Sequence, residues 1–138
     1  MKKISALILM FSLIVIPVSF SVAEDVQQDS ASIFNVGRFV IAGSIDNREP
    51  VGIVDVFSSS TEKVYCFLEA RDIKEDTVVS FVWYHGEKEV ANVDLPLRVS
   101  QRWRTYASKK LGGRLGEWKV ELQDANGLVV ETVTFTVE

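Results

Sequence analysis

The sequence has little of the chemistry that most catalytic and metal-binding proteins use. Its 138 residues include one cysteine, Cys66, and one histidine, His85. A lone cysteine excludes an internal disulfide, and a lone histidine excludes a histidine-rich metal site. Both methionines, Met1 and Met10, lie at the N-terminus, which argues against a methionine-ligated copper site. We therefore expect no metal and no cofactor.

A nucleophile signature is also missing, which disfavours an enzyme. No serine or cysteine has the flanking residues of a known catalytic motif. Cys66 stands in an apolar stretch, Val64 to Leu68, and is predicted to be a buried small hydrophobe. His85 ends a predicted strand before Gly86, where we expect a turn residue that hydrogen-bonds locally.

The first 23 residues have the three parts of a bacterial secretory signal. Lys2 and Lys3 precede an apolar run from Ile4 to Phe20, and Ser21-Val22-Ala23 supplies small residues for a cleavage site. No cysteine stands at the processing point, which excludes a lipoprotein. We expect cleavage after Ala23 and export to the periplasm or the medium. The alternative is an inner-membrane anchor at residues 4–22, because the run approaches the ~20 residues that span a bilayer.

The rest of the chain is predicted to form one acidic domain. Residues 24–33 are polar and acidic without a period, which predicts a flexible leader. Residues 34–138 have the size of a single domain. All 19 acidic residues follow the signal, so the exported part is more negative than the −4 of the whole chain.

Residues 34–138 show the alternation of an all-β domain. Short stretches rich in Val, Ile, Phe, Tyr, Trp and Thr are separated by turn residues, and no segment has a helical period. About seven strands are predicted: 36–45, 63–71, 77–85, 88–99, 102–108, 117–123 and 128–137. Asp46 to Pro50 is predicted to be a loop, and Pro96 places its strand at an edge or a break. The fold class is an immunoglobulin-like antiparallel β-sandwich without the cysteine pair of antibody domains.

Two of these strands carry further predictions about burial. Val64 to Leu68 is apolar on both faces, which indicates a central strand or a second surface that something covers. Trp83, Trp103 and Trp118 fall on the inward faces of their strands and are predicted to lie in the core.

Several short motifs resemble a known bacterial family. They are Arg48-Glu49-Pro50, Val64-Tyr65-Cys66-Phe67, Val82-Trp83-Tyr84-His85-Gly86, Trp103-Arg104-Thr105-Tyr106-Ala107-Ser108-Lys109, Gly116-Glu117-Trp118-Lys119-Val120-Glu121 and Asp124-Ala125-Asn126-Gly127, with Phe135. In this order they resemble the domain of unknown function DUF2914 over nearly all of residues 34–138. The resemblance implies an exported or membrane-linked β domain, and it implies no known activity and no functional residues.

The clearest candidate site is a basic stretch in an otherwise acidic chain. Residues 98–119 hold seven basic residues and one acidic residue, Glu117. Alternation places Arg102, Arg104 and Tyr106 on one strand face, where guanidinium groups and a ring can hold an anionic or sugar-bearing partner. The candidate binding residues are Arg102, Arg104, Tyr106, Lys109, Lys110 and Tyr84. The competing interpretation is a solvated face whose arginines pair with carboxylates of neighbouring strands.

The sequence favours a non-catalytic binding domain that engages an envelope protein or an envelope polymer through this face. The acidic remainder of the chain disfavours nucleic acid as a partner, and a membrane partner is expected only if the signal stays uncleaved. One alternative is a self-assembling structural or accessory domain, motivated by the doubly apolar strand. The other is a hydrolase with two carboxylates drawn from Asp46, Glu49, Asp55, Glu69, Asp72, Glu75 and Asp76. The oligomeric state is left open.

Overall fold

The predicted alternation corresponds to nine strands in the computed structural model, which describes residues 32–138. The strands are β1 (Asn35–Asp46), β2 (Glu49–Ile53), β3 (Val56–Phe57), β4 (Lys63–Ile73), β5 (Thr77–His85), β6 (Lys88–Leu97), β7 (Ser100–Lys110), β8 (Gly116–Gln123) and β9 (Val129–Val137). None of the described residues belongs to a helix that could cross a membrane. The predicted signal, residues 1–23, and residues 24–31 of the predicted leader lie outside the described part.

The strands form two sheets, which confirms the all-β sandwich. The first sheet has the order β2-β1-β4-β7 and the second the order β3-β9-β8-β5-β6. All neighbours are antiparallel except β3 and β9, which are parallel. The boundary of the domain lies slightly before residue 34, because Ile33 packs on the core and its carbonyl accepts a 2.9 Å hydrogen bond from Lys74 N–H.

Two short strands were missed in the sequence. The predicted loop from Asp46 to Pro50 is wrong, because only Asn47 and Arg48 turn the chain, with φ of 53° and 62°. Two residues of positive φ make the tight hairpin turn that suits the twist of antiparallel strands. Glu49 therefore already belongs to β2, and Asp46 pairs directly with it. This placement of Glu49 decides the geometry of the candidate site.

The core lies between the sheets and is built by the predicted inward faces. On β8, Trp118, Val120 and Leu122 are buried, as the period of two requires. Trp83 is fully buried on β5, and Trp103 packs partly buried against the same cluster. All three tryptophans thus contact the core, as predicted. Cys66 is buried beside them, also as predicted.

The edge and central positions of two strands also follow the sequence. β6, which contains Pro96, is the last strand of the second sheet among the described residues. β4 lies between β1 and β7, so the doubly apolar strand is central. Its inward residues, Val64, Cys66 and Leu68, belong to the core. Its outward residues, Tyr65, Phe67, Glu69 and Arg71, begin the candidate site.

Candidate functional site

A row of charged residues crosses the outer face of the first sheet. Glu69 on β4 pairs with Arg38 on β1 and with Arg104 on β7. Two residues farther along the same pair of strands, Arg102 of β7 lies opposite Arg71 of β4. Residues directly opposite each other on neighbouring strands have adjacent side chains, so the sheet itself brings these charges together.

Glu69 is the centre of this row and is 1% exposed. Its Oε1 accepts hydrogen bonds from Arg102 Nε at 2.7 Å and from Arg38 Nη2 at 3.2 Å. Its Oε2 accepts from Arg71 Nη2 at 3.0 Å and from Arg71 Nε at 3.2 Å. A buried carboxylate is tolerated only when charged partners satisfy it, and here three guanidinium groups do so.

A second carboxylate, Glu49, reaches the same row from the tip of the β1–β2 hairpin. It pairs with Arg38 Nη2 at 2.9 Å, with Arg102 Nη2 at 3.4 Å, and with Arg104 Nη1. Glu49 is opposite Asp46, eight positions beyond Arg38, and a straight strand would separate these positions by about 26 Å. Because Arg38 and Glu49 touch, β1 must bend between them and carry the hairpin over the outer face.

The strand pairing places the bend of β1 near Ala42. Asn35 to Ala42 of β1 pair with β4, whereas Ala42 to Asp46 pair with β2. The covering hairpin also agrees with the burial of Phe67, an outward residue of β4 that is 0% exposed and lies 5.0 Å below the Arg38 guanidinium. The second surface expected on β4 is therefore covered by the domain itself.

Gly37 leaves space for two side chains of the charged row, Glu69 and Arg71. A Cβ atom at this position would lie 2.8 Å from Glu69 Oε2 and 2.8 Å from Arg71 Nε, which is closer than real contacts allow. The absence of a side chain at Gly37 therefore lets Glu69 and Arg71 meet beside β1.

The arginine–glutamate cluster, defined as Arg38, Glu49, Glu69, Arg71, Arg102 and Arg104, carries an excess of positive charge. Burial alone would raise the pKa of Glu69, but hydrogen bonds from Arg102, Arg71 and Arg38 outweigh it and lower the pKa to about 2. Hydrogen bonds from Arg38 and Arg104 likewise lower the pKa of Glu49. Both carboxylates stay ionised at neutral pH, and four guanidinium groups face two carboxylates.

An aromatic patch with two lysines continues the outer face along β7. The rings of Tyr65 and Tyr106 meet edge to face with centroids 6.1 Å apart, and Tyr106 is 46% exposed. Lys63 Nζ lies 5.5 Å from the centre of the Tyr65 ring, and Lys63 pairs with Lys110 across the two strands. Both lysines are exposed. We call these four residues the tyrosine–lysine patch.

The structure brings together some of the predicted site residues. Arg102, Arg104, Tyr106 and Lys110 share the outer face of β7, as the alternation predicts. Lys109 is half-buried and falls on the alternate face with Ala107, so it does not join them. Arg102 and Arg104 also make the ion pairs with neighbouring strands that the competing interpretation expected.

Tyr84 is separated from this site. It lies on β5 of the second sheet, and β5 is not a neighbour of β7. Lys119 Nζ lies 4.5 Å from the centre of its ring, and a hydrogen bond to Glu121 raises the pKa of its hydroxyl. Tyr84 and Tyr106 therefore belong to different sheets and cannot form one stacking platform.

His85 makes a distant contact in place of the local one expected from the sequence. Its Nε2 lies 2.7 Å from the carbonyl oxygen of Leu115, so this nitrogen donates, and the ring packs on Trp118 at 4.9 Å between centroids. Arg114 covers the same indole, with its Cζ 5.8 Å from the ring centre. His85 thus fastens the loop before β8 to the end of β5.

Four residues of the site were missed as site residues in the sequence: Arg38, Lys63, Tyr65 and Arg71. Glu49 and Glu69 were considered only as candidate acids. One signal was available, because Glu69 is a charged residue in an otherwise apolar stretch and requires partners when buried. Arg71 is a partner from the same strand, but Arg38 and Arg102 come from strands more than thirty residues away, and only strand pairing reveals them.

The C-terminal part of the domain matches a known family. Residues 76–137 match the family described as "Protein of unknown function (DUF2914)". The DUF2914 resemblance is confirmed over this range. The match contains β7 with Arg102, Arg104 and Tyr106, whereas Glu49 and Glu69 lie before it. No curated protein matches the chain.

Solved structures resemble this chain only in part. A β-glucosidase from Listeria innocua in complex with glucose is similar over 75% of this chain and 15% of its own, with 8% identity and a TM-score of 0.46. A β-glucosidase from Kluyveromyces marxianus in complex with glucose is similar over 76% of this chain and 14% of its own, with 10% identity and a TM-score of 0.44. The chain spans only a small part of the length of these enzymes.

Proposed function

We propose that this protein is a non-catalytic exported domain that binds an acidic envelope protein or envelope polymer through the outer face of β7. The observation that carries the proposal is the tyrosine–lysine patch beside an arginine–glutamate cluster with excess positive charge. Export is inferred from the predicted signal at residues 1–23. The remainder of the exported chain is acidic, so this face is the one suited to an acidic partner.

The cluster is prepared to bind because its guanidinium groups are already fixed. A guanidinium has five N–H donors, and Glu49 uses one from Arg104 Nη1. The remaining donors can contact a partner carboxylate, phosphate or sulfate without a large ordering cost. Ion pairs of a part-exposed carboxylate such as Glu49 stabilise a fold only weakly, so stability alone is a weak reason for Glu49 to join the buried Glu69 in this cluster.

The patch supplies contacts of a different kind. Tyr106 is 46% exposed, and its ring packs edge to face with Tyr65. A partner can therefore pack on this ring without first ordering a mobile side chain. Lys63 and Lys110 have no ion pair among residues 32–138. Tyrosine beside exposed cations is typical of the contact residues that dominate protein interfaces.

The proposal is tested by crosslinking in the producing cell, followed by capture of the protein and its partners. The test variant carries Lys63→Glu and Lys110→Glu, which reverses the patch without touching Glu49 or Glu69. The matched control carries Lys74→Glu and Lys88→Glu, the same change of charge at exposed positions outside β4 and β7. Both variants are first compared with the original protein by urea unfolding.

We expect the test variant to lose a partner that the original protein and the control both capture. Tyr106→Ser is expected to weaken the same capture, because it removes the exposed ring and leaves the charges. Capture of the same partner by all four proteins would show that the face of β7 is only a solvated surface. Failure of the original protein to capture anything would also contradict the proposal.

Self-assembly is a second candidate with an observation of its own. Val51, Ile53, Val54 and Val56 are exposed large apolar residues along β2 and the start of β3. The earlier motivation, the doubly apolar strand β4, no longer supports this candidate because Phe67 is covered within the domain. Sedimentation over a range of concentrations separates the two functions, since a monomer at every concentration argues against self-assembly.

A carboxylate-dependent hydrolase gains no support from the acidic residues of the site. Glu49 and Glu69 are close enough to share Arg38, but the pKa of each is lowered. A general acid at neutral pH needs the opposite, a carboxyl group whose pKa is raised.

A further inference from the structure

We propose that β7 binds its partner by strand addition, and that the partner segment is an extended polypeptide with acidic and apolar residues in alternation. This inference rests on the proposed function, and it concerns the mode of binding and the class of partner. Strand addition uses the unpaired backbone groups of an edge strand for affinity and alternate side chains for specificity. The argument depends on which backbone groups of β7 are free.

β7 is an edge strand within the described part of the chain. Among residues 32–138 its only neighbour in the sheet is β4, and the pairing runs from Ser100 to Lys110 without a register shift. The edge strand β6 of the second sheet also has a single neighbour among the described residues, but its pairing is not regular. It contains Pro96 and has an irregularity opposite Trp83 and Tyr84, two features that discourage pairing with another strand.

Three hydrogen bonds fix the direction of the backbone groups of β7. Leu111 N–H donates to the carbonyl of Glu62 at 2.9 Å, so the odd-numbered residues turn their N–H and C=O groups towards β4. At the other end, Arg102 N–H donates to Ser100 Oγ at 3.1 Å, and Ser100 Oγ donates to the carbonyl of Arg102 at 2.7 Å. The backbone of Arg102 therefore faces away from β4 and is satisfied by a side chain of its own strand.

The alternation of an antiparallel ladder then directs four further residues to the free edge. They are Arg104, Tyr106, Ser108 and Lys110. Their N–H and C=O groups have no backbone partner among residues 32–138. These residues offer an incoming strand a continuous set of donors and acceptors about 20 Å long. The set ends at Arg102, because the hydroxyl of Ser100 already bonds the N–H and the C=O of that residue.

The side chains beside this edge select the partner. On the outer face, an added strand would have its side chains directly beside Arg104, Tyr106 and Lys110, where acidic residues are favoured. On the inner face, its side chains would lie beside Trp103 and Ala107, which pack partly buried against the core. Apolar residues at those positions would extend the core, so the partner alternates acidic and apolar residues.

The same charges argue against a second copy of this chain at the edge. Pairing of two β7 strands across a two-fold axis would bring arginine and lysine side chains of both copies next to each other. Like charges directly opposite in a sheet are destabilising. Charge complementarity therefore favours a segment of a different, acidic protein.

The test uses a synthetic peptide of alternating valine and glutamate, nine residues long, and nitrogen-15-labelled protein. We expect the peptide to slow the exchange of the amide protons of Arg104, Tyr106 and Ser108. The amides of Thr105 and Ala107 should be protected already in the free protein, because they face β4. A peptide of the same sequence with N-methyl groups on one backbone edge is expected to bind at least about tenfold more weakly, because several backbone hydrogen bonds are lost together.

Three outcomes would overturn strand addition. They are the absence of binding by the alternating peptide, equal binding by the N-methylated peptide, and binding without slower exchange of the even-numbered amides. If these amides became protected at high protein concentration without any peptide, the strand that adds to β7 would be a second copy of the chain and not an acidic partner. If strand addition fails while the variant with Lys63→Glu and Lys110→Glu still loses its partner in the cell, the proposed function stands and only this mode of binding is wrong.

Discussion

Arg38 and Glu49 form a 2.9 Å ion pair, although Arg38 lies near the start of β1 and Glu49 lies just beyond its end. The contact requires the β1–β2 hairpin to fold over the outer face of the first sheet. Glu49 thereby shares Arg38 with the buried Glu69, and the pKa of Arg38 is raised because hydrogen bonds to both carboxylates outweigh the effect of burial. The hairpin and the cluster are therefore expected to depend on each other.

Replacing Glu49 by Gln should loosen the hairpin without unfolding the domain. The side chain is part-exposed and pairs with three arginines, so we expect only a small loss in the free energy of unfolding. Faster amide exchange is expected at Ser44 and Asp46, measured by NMR. Glu87→Gln, at an exposed turn position, serves as the control and should change neither quantity. Unchanged exchange in the hairpin would mean that Glu49 does not hold it.

Replacing Glu69 by Gln should cost much more stability. Three guanidinium groups would lose the buried carboxylate that they bind, and a hydrogen bond to a charged group is worth about 1.5 to 3 kcal/mol. We expect a lower midpoint of urea unfolding with an unchanged slope. The control is Glu75→Gln, an exposed carboxylate without an ion pair among the described residues. Equal midpoints for the two variants would contradict the central role given to Glu69.

Stability should fall with acid in a window set by Glu69. Its pKa is lowered from 4.5 to about 2 in the folded protein, because three arginines bind the ionised form. The contribution of ionised Glu69 to the free energy of unfolding is fully present above pH 4.5 and is lost as pH falls towards about 2. The lowered pKa of Glu49 acts in the same direction. Urea unfolding at several pH values should show a steeper loss for the original protein than for Glu69→Gln, and parallel curves would contradict the assignment.

Cys66 should be unreactive in the folded protein. Burial raises the pKa of its thiol well above 9.0, so the reactive thiolate is scarce and the sulfur is inaccessible. Iodoacetamide should label the protein only in concentrated urea, with mass spectrometry as the measurement. Rapid labelling of the native protein at neutral pH would place Cys66 at the surface and contradict the packing of β4.

The sequence alone determined the properties that depend on a single strand. Period-two alternation identified the inward residues Trp118, Val120 and Leu122, the burial of Cys66, and the shared outer face of Arg102, Arg104 and Tyr106. Pro96 predicted an edge or a break in its strand because proline has no N–H to donate, and β6 is an edge strand among the described residues. These properties follow from local geometry, since successive side chains of a strand point to opposite faces.

Tertiary structure alone decided which strands are neighbours and how β1 bends. Glu69 meets Arg38 and Arg102 because β4 lies between β1 and β7, a pairing between segments more than thirty residues apart. Glu49 joins them through a two-residue turn that was predicted as a loop, and Tyr84 is excluded because β5 belongs to the other sheet. Alternation fixes the face of a residue within its own strand, but side chains from distant strands meet only after the sheets have formed and packed.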